Sequence, residues 1–244
     1  MRVPALLLRP GAELAVPLVT IAAVGLAHAA GAAWLHATLP ALAFFPFWAA
    51  ALAAGRLKLA VFRAGLWAVT LSLAVFCLSL AKGESVAGEL WGGARYAEEM
   101  LGWIRTGAGP EGSLLAFLPR LLGQLLLFAA LCLVSGGLLG LVLGTVLLDF
   151  MNYYAGLLVL IADEPLWALV RVWPVYAIVR VVGFILIAVG LSRPALGRVV
   201  ATEGRGGLQR RYLAAGGLCL LADVALKVLL AESQRRALSA ALGG

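Results

Sequence analysis

Three charged residues lie deep inside apolar segments of the chain and are its first candidates for chemistry. Asp149, Arg180 and Asp223 fall in three different segments, and a charge at the centre of a bilayer costs at least about 2.5–3.5 kcal/mol. We predict that Arg180 pairs with Asp149 or with Asp223. Lys227, one helical turn after Asp223, either joins this pair or extends its ammonium group to the membrane surface. The balanced charges favour a structural ion pair over a proton or ion pathway.

Asp149 also opens the most polar run within any apolar segment, which continues through Asn152 and Tyr153. These side chains are suited to line a substrate cavity. They are equally suited to join helices through hydrogen bonds that contribute about 0.6–2 kcal/mol each. We favour the second role.

Neither the histidines nor the cysteines form a recognisable ligand set. His28 and His36 are separated by eight positions, which on one regular helix places them about 80° apart around the axis and about 12 Å apart along it. That separation excludes a shared metal or haem iron, although a haem held by one histidine and a distant residue stays possible. Cys77, Cys132 and Cys219 show no metal-ligand spacing. We predict no cofactor and no metal site.

The common catalytic motifs are missing from the chain. There is no H-E-x-x-H sequence, no P-loop and no G-x-S-x-G sequence. We therefore predict no catalytic residue.

The composition is that of an integral membrane protein. Apolar residues make up 63% of the 244 and charged residues only 13%, whereas soluble domains carry about 25% charged residues. The mean hydropathy is +1.01. The formal net charge is +7, yet the cations lie between apolar runs rather than in a basic stripe with aromatic residues, which excludes nucleic acid as a partner. The expected partners are membrane lipids and other membrane subunits or a second copy.

The apolar segments predict an all-α, polytopic transmembrane bundle that forms a single membrane domain, residues 1–244. Each span needs about 20 apolar residues, and a turn at 36–40 separates the first two. Seven spans are predicted, with six as the alternative. They cover residues 12–35, 41–55, 64–81, 114–134, 139–161, 174–192 and 212–230.

The fourth and fifth spans come from one apolar stretch, residues 114–161. As a single helix it would be about 70 Å long, against a hydrocarbon core of about 30 Å. We place a turn at residues 135–137. A competing division keeps Gly136, Gly140 and Gly144 on one long tilted helix. In either case this spacing of small residues predicts close helix packing.

The polar segment 82–113 between the third and fourth spans carries an amphipathic pattern. Apolar residues recur in it at helical spacing, and tryptophans accompany them, which is typical of a helix lying in the membrane interface. A cap over the bundle or a docking surface for another subunit is the alternative. The apolar residues are Val86, Leu90, Ala97, Leu101 and Ile104, with Trp91 and Trp103.

The distribution of basic residues predicts a cytoplasmic amino terminus in a plasma or bacterial inner membrane. With seven spans, this orientation leaves about twice as many basic residues inside as outside. The six-span alternative would put the basic loop 193–211 outside. That loop is expected to contact anionic lipid or a partner, or to act only as a topology signal. Its basic residues are Arg193, Arg198, Arg205, Arg210 and Arg211.

Three functions are compatible with these features. The favoured one is a non-catalytic subunit or assembly component of a larger membrane complex, because interaction devices are present and catalytic motifs are not. The alternative is a transporter or channel with a polar path through Asp149, Asn152, Arg180 and Asp223. A weaker alternative is a lipid-binding or lipid-modifying enzyme.

Overall fold

The computed structural model describes residues 5–9, 11–197 and 206–243. This part of the chain folds into nine α-helices and contains no strand. Seven helical segments are long and apolar enough to cross a membrane, so the predicted all-α bundle with seven spans is confirmed. The helices are α1 (Ala15–Ala30), α2 (Ala33–Ala53), α3 (Leu57–Lys82), α4 (Gly93–Thr106), α5 (Leu114–Ser135), α6 (Leu138–Ile161), α7 (Pro165–Arg171), α8 (Val175–Gly197) and α9 (Gly206–Ala241).

Helix α6 is at the centre of the bundle and packs against α2, α3, α4 and α5. The core around it is aromatic: Trp48 is fully buried, and the rings of Phe44 and Trp67 stack at 5.2 Å. Helices α8 and α9 form the closest pair, beside α5. This arrangement leaves space between α5, α6 and α8.

The turn between the first two spans lies earlier than predicted. Helix α1 ends at Gly31, whose φ of 61° is in the left-handed region and whose N–H donates to the His28 carbonyl at 2.9 Å. Glycine takes this conformation without a steric penalty. The predicted turn at 36–40 is therefore wrong, and Pro40 lies inside α2, as prolines do in membrane helices whose freed backbone groups find other partners.

The third span also begins earlier than predicted, at Leu57. This extension places Arg63 inside α3 with 0% exposure. Its guanidinium donates to the carbonyls of Phe47 at 3.1 Å and Leu7 at 2.8 Å, and it pairs with Glu13 at 3.0 Å. Arg63 is thus a buried link between the amino-terminal segment and α3.

The predicted turn between the fourth and fifth spans is confirmed. Gly136 and Gly137 have φ values of 63° and 100°, which end α5 and reverse the chain into α6. The competing single tilted helix is wrong, because these two glycines break it. Gly136 therefore does not share a helical stripe with Gly140 and Gly144.

Gly140 and Gly144 each contact a different helix. A Cβ on Gly140 would collide with the Cys132 sulfur of α5, and one on Gly144 would lie 3.7 Å from Trp67 of α3. Both glycines therefore pack within the chain, which accounts for them without a second subunit.

Helix α4 is the amphipathic helix that the polar segment predicted. It buries Ala97, Met100, Trp103 and Ile104, and it packs on α6 and α9. It covers the end of the bundle at which α1, α3, α6 and α9 finish and α2, α5 and α8 begin. We call this the α4 end.

The basic loop is shorter than predicted, because α8 continues to Gly197 and α9 begins at Gly206. Arg193 belongs to α8 and is buried, with its Nη2 near Gly55. The expectation that Arg193 contacts lipid or a partner from a loop is wrong for this reason. For the other four arginines, contact with anionic lipid or a partner remains a prediction. Arg210 and Arg211 are exposed on α9, and Arg198 and Arg205 lie outside the described residues.

The last span is longer than predicted and reaches Ala241. Residues 231–241, which follow the predicted span, continue the helix, supported by pairs of Glu232 with Arg235 and Arg236 at 2.8 Å each. Residues three and four apart lie on one helical face, which allows these pairs to form.

The close packing of α8 on α9 depends on Gly183 and Gly216. A Cβ on Gly216 would lie 2.7 Å from Ile187 Cγ1 and 3.0 Å from the Gly183 carbonyl oxygen. The backbone contact leaves no room for adjustment, so the two helices touch only because both residues lack a side chain.

We predict that Gly216→Ala lowers the free energy of unfolding by about 1–3 kcal/mol through overpacking. Gly217→Ala is the matched control, because a Cβ there meets nothing within 4 Å and alanine favours a helix by about 1 kcal/mol. Detergent-induced unfolding followed by circular dichroism measures both. Equal stability of the two variants would show that α8 and α9 are not this close.

Candidate functional site

A cavity of about 640 Å³ lies between α5, α6 and α8 and reaches α3. Along α6 it extends from Leu139 to Met151, about 18 Å at 1.5 Å per residue. Most of its wall is apolar, and aromatic residues that include Trp48, Trp67, Phe128 and Phe184 border the part away from α4. The cavity is therefore elongated and apolar over most of its length, which suits an aliphatic chain.

The polar residues of the cavity are gathered at the α4 end. They come from α4, from the connection that follows it, and from the amino-terminal halves of α5 and α8. This set is Arg95, Tyr96, Glu99, Glu111, Arg120, Gln124 and Arg180. The cavity is thus amphipathic, with an apolar body and one charged end.

Two ion pairs connect helices at this charged end. Arg180 donates to Asp223 from Nε at 2.8 Å and from Nη2 at 3.1 Å, a bidentate contact that joins α8 to the fully buried carboxylate of α9. The sequence left Asp149 and Asp223 open as partners, and the structure selects Asp223. Arg120 of α5 pairs with Glu99 of α4 at 2.9 Å.

Lys227 occupies a different place from the one predicted. It neither joins Asp223 nor extends outward; it is buried and pairs with Glu111 at 2.5 Å. Phe117 lies between the cations, with its ring centre 3.4 Å from Lys227 Nζ and 4.7 Å from Arg180 Cζ. Cations over an aromatic face are stabilised by its quadrupole. Since Glu111 lies in a polar connection, no periodicity in the sequence pointed to it.

Two other residues of α4 at this end have distinct properties. Tyr96 packs against Phe150 at 4.5 Å and Tyr154 at 5.9 Å, and burial raises its pKa, so its hydroxyl is neutral at physiological pH. Arg95 is exposed, and none of the described carboxylates pairs with it. Its guanidinium is available to an anionic group at the mouth of the cavity.

The remaining residues of the predicted polar path lie apart from the cavity. Asn152 donates to the Leu148 carbonyl of its own helix at 2.7 Å and accepts from Trp173 at 2.9 Å, which links α6 to the connection between α7 and α8. Tyr153 is buried against Gly93 of α4.

Asp149 is buried, and its Oδ1 lacks a hydrogen-bond partner among the described residues. Of the residues predicted to form a polar path, Arg180 is the one that borders the cavity. The structure therefore brings Arg180 and Asp223 together, but it does not bring the full set into one path.

The two histidines meet at the α4 end, outside this cavity. The break at Gly31 folds α2 back on α1, so that His28 and His36 both face Glu89 of the 3₁₀ helix Gly83–Glu89. The three side chains each place a ligand atom within 4.8 Å of the others. The predicted separation is wrong because it assumed one regular helix; Gly31, between the histidines, was the signal of the turn.

No protein family, curated protein or solved structure matches this chain. Among the residues that the structure describes, the amphipathic cavity and the histidine cluster are the two places where ligand chemistry is concentrated.

We predict that Asp223→Ala lowers the free energy of unfolding by about 3 kcal/mol, because it leaves the half-buried Arg180 guanidinium without its ion-pair partner. The double variant Arg180→Met/Asp223→Leu regains most of this loss, since apolar residues replace both charges. Glu98→Ala, an exposed carboxylate of α4, serves as the control and changes stability by less than about 0.5 kcal/mol. Detergent unfolding measures all three; a harmless Asp223→Ala would contradict the buried pair.

Proposed function

We propose that this protein binds a single lipid-type molecule, with an aliphatic chain in the cavity and an anionic headgroup at the α4 end. The observation that carries the proposal is the amphipathic lining: one elongated cavity that is apolar along α6 and bordered by three arginines at one end. Its volume of about 640 Å³ falls within the range of about 300–1,000 Å³ that is usual for ligand sites.

Selectivity among lipids must come from the charged end of the cavity. A lipid chain that moves from the bilayer into the cavity exchanges one apolar environment for another, so it gains little from the hydrophobic effect. Contacts of the headgroup with fixed charges are different, because charge-assisted hydrogen bonds contribute about 1.5–3 kcal/mol each. Recognition is therefore expected to depend on the headgroup.

The charge balance at the mouth favours an anion. Arg95, Arg120 and Arg180 border the cavity, against Glu99 and Glu111, which leaves one positive charge in excess. Asp223 and Lys227, the partners behind this layer, cancel each other. Guanidinium groups bind phosphate and carboxylate in a bidentate manner, so a phosphate or carboxylate headgroup fits the mouth best.

The other two functions stay predictions. Gly140 and Gly144, which supported a complex subunit, contact helices of the same chain, so that support is weaker than the sequence indicated. The polar path proposed for a transporter is divided among separate contacts. With the amino terminus in the cytoplasm, as the basic residues indicate, the charged end of the cavity would face the outer side of the membrane.

The headgroup contacts are tested by quantifying lipid that stays bound to the purified full chain in mild detergent. We expect about one anionic lipid per chain, and Arg95→Ala/Arg120→Ala lowers its retention about tenfold or more. Arg105→Ala is the matched control, because Arg105 is exposed on the same helix and does not border the cavity. Mass spectrometry of the organic extract identifies and counts the lipid.

The cavity itself is tested by filling it. Leu143→Trp places a large ring in the cavity. We expect this ring to displace the aliphatic chain of the lipid and to reduce lipid retention to a similar extent. Leu126→Trp, at a position that is 71% exposed on α5, leaves retention unchanged. If all variants retain the same mixture of lipids as the wild type, the lipid is an unspecific annulus and the proposal is wrong.

A further inference from the structure

Three side chains that can coordinate a metal ion lie close together at the α4 end, away from the cavity proposed to bind lipid. His28 is on the last turn of α1, His36 on the first turn of α2, and Glu89 at the end of the 3₁₀ helix Gly83–Glu89. None of the three borders the cavity. We propose that they form a site for one divalent transition-metal ion, of which Zn²⁺ is the best match.

The separations between the ligand atoms are close to those of a coordination sphere. Around a tetrahedral Zn²⁺ with bonds of 2.0–2.1 Å, neighbouring ligand atoms lie about 3.3 Å apart. His36 Nε2 is 3.5 Å from Glu89 Oε2, His28 Nδ1 is 2.7 Å from the same oxygen, and all three atoms lie within 4.8 Å of one another. A common centre requires the contact of His28 with Glu89 to lengthen and the widest of these separations to shorten.

His36 provides an independent indication of a ligand. The residue is 1% exposed, and neither of its ring nitrogens has a hydrogen-bond partner among the described residues. A buried polar group without a partner costs about 1–3 kcal/mol, and such groups are rare. A hydrogen bond between His28 and Glu89 explains two of the three residues without a metal. It leaves His36 with only the 3.5 Å contact of its Nε2 to Glu89, which does not meet hydrogen-bond geometry, and its Nδ1 with no partner among the described residues. A metal ion would bind the lone pair of its Nε2.

The donor types select the class of ion. Two imidazoles and one carboxylate suit Zn²⁺ and related transition metals, whereas Mg²⁺ and Ca²⁺ prefer sites made of oxygen alone. Three protein ligands leave a fourth position for water or an exogenous ligand, as in open zinc sites. The side chains of His28 and Glu89 are 29% and 19% exposed, so the ion has a route to the site.

The surroundings place the site at the boundary between lipid and water. Trp34, between the two histidines in the chain, is 63% exposed, and Trp91, just after Glu89, is 65% exposed. Tryptophans with exposed rings are typical of the membrane interface. A bound ion would also tie the α1–α2 connection to the segment that precedes α4.

Metal binding is tested on the full chain, purified with a tag that lacks histidine and loaded with Zn²⁺ before gel filtration. We expect one zinc per chain by elemental mass spectrometry. His36→Ala and Glu89→Gln lower the bound zinc at least tenfold. Glu84→Gln, an exposed glutamate of the same 3₁₀ helix, keeps it, and so does Cys77→Ser, which removes an exposed thiol.

X-ray absorption at the zinc edge of the loaded wild type decides the outcome even where a variant fails to fold. The expected spectrum shows nitrogen and oxygen ligands with scattering from two imidazole rings. Wild-type protein that holds no more zinc than Glu89→Gln, or zinc bound through sulfur, would overturn the proposal. The metal site does not border the cavity, so His36→Ala is expected to retain lipid as the wild type does. The zinc measurement and the lipid measurement therefore test the two proposals separately.

Discussion

Charges inside an apolar bundle are costly without a partner, and the ion pairs that meet this constraint organise the described structure, with Asp149 as a buried carboxyl group outside them. A buried charge without a partner costs several kilocalories per mole, so each ion pair fixes the relative position of the elements that supply it. Arg180 and Asp223 fix α8 against α9, Arg120 and Glu99 fix α5 against α4, and Lys227 holds the connection at Glu111. These three pairs lie together at the α4 end. The charged mouth of the cavity is therefore a consequence of how the helices are held.

The number and the extent of most spans follow from hydropathy alone, because a bilayer of fixed thickness demands segments of fixed length. The turn at Gly136 was predictable for the same reason: one helix over that stretch would be too long. The turn at Gly31 was not, since the apolar character continues across it. Hydropathy detects lipid exposure but not the backbone break, and proline misled the prediction because Pro40 is accommodated within α2.

Which groups pair with one another across the bundle could not be predicted from the sequence. Helical periodicity relates residues on one element, so it correctly placed Lys227 one turn from Asp223. It could not indicate that Lys227 pairs with Glu111, which lies in a separate connection. Arg63 directly precedes the predicted third span, a position at which arginines commonly mark the end of a span. In the structure its hydrogen bonds to three distant groups are made inside the bundle. Contacts between residues far apart in the chain determine the environment of these side chains, and local sequence patterns do not reveal such contacts.

The polar segment 82–113 is what joins the two proposed sites. It supplies Glu89 to the histidine cluster, and Arg95, Glu99 and Glu111 to the mouth of the cavity. The spans supply the complementary groups in each case: imidazoles from α1 and α2, and cations from α5 and α9. A segment that only shielded the bundle from water would need an apolar face and a solvated one. This segment instead directs carboxylates inward at two separate places, which is the arrangement expected of a functional element.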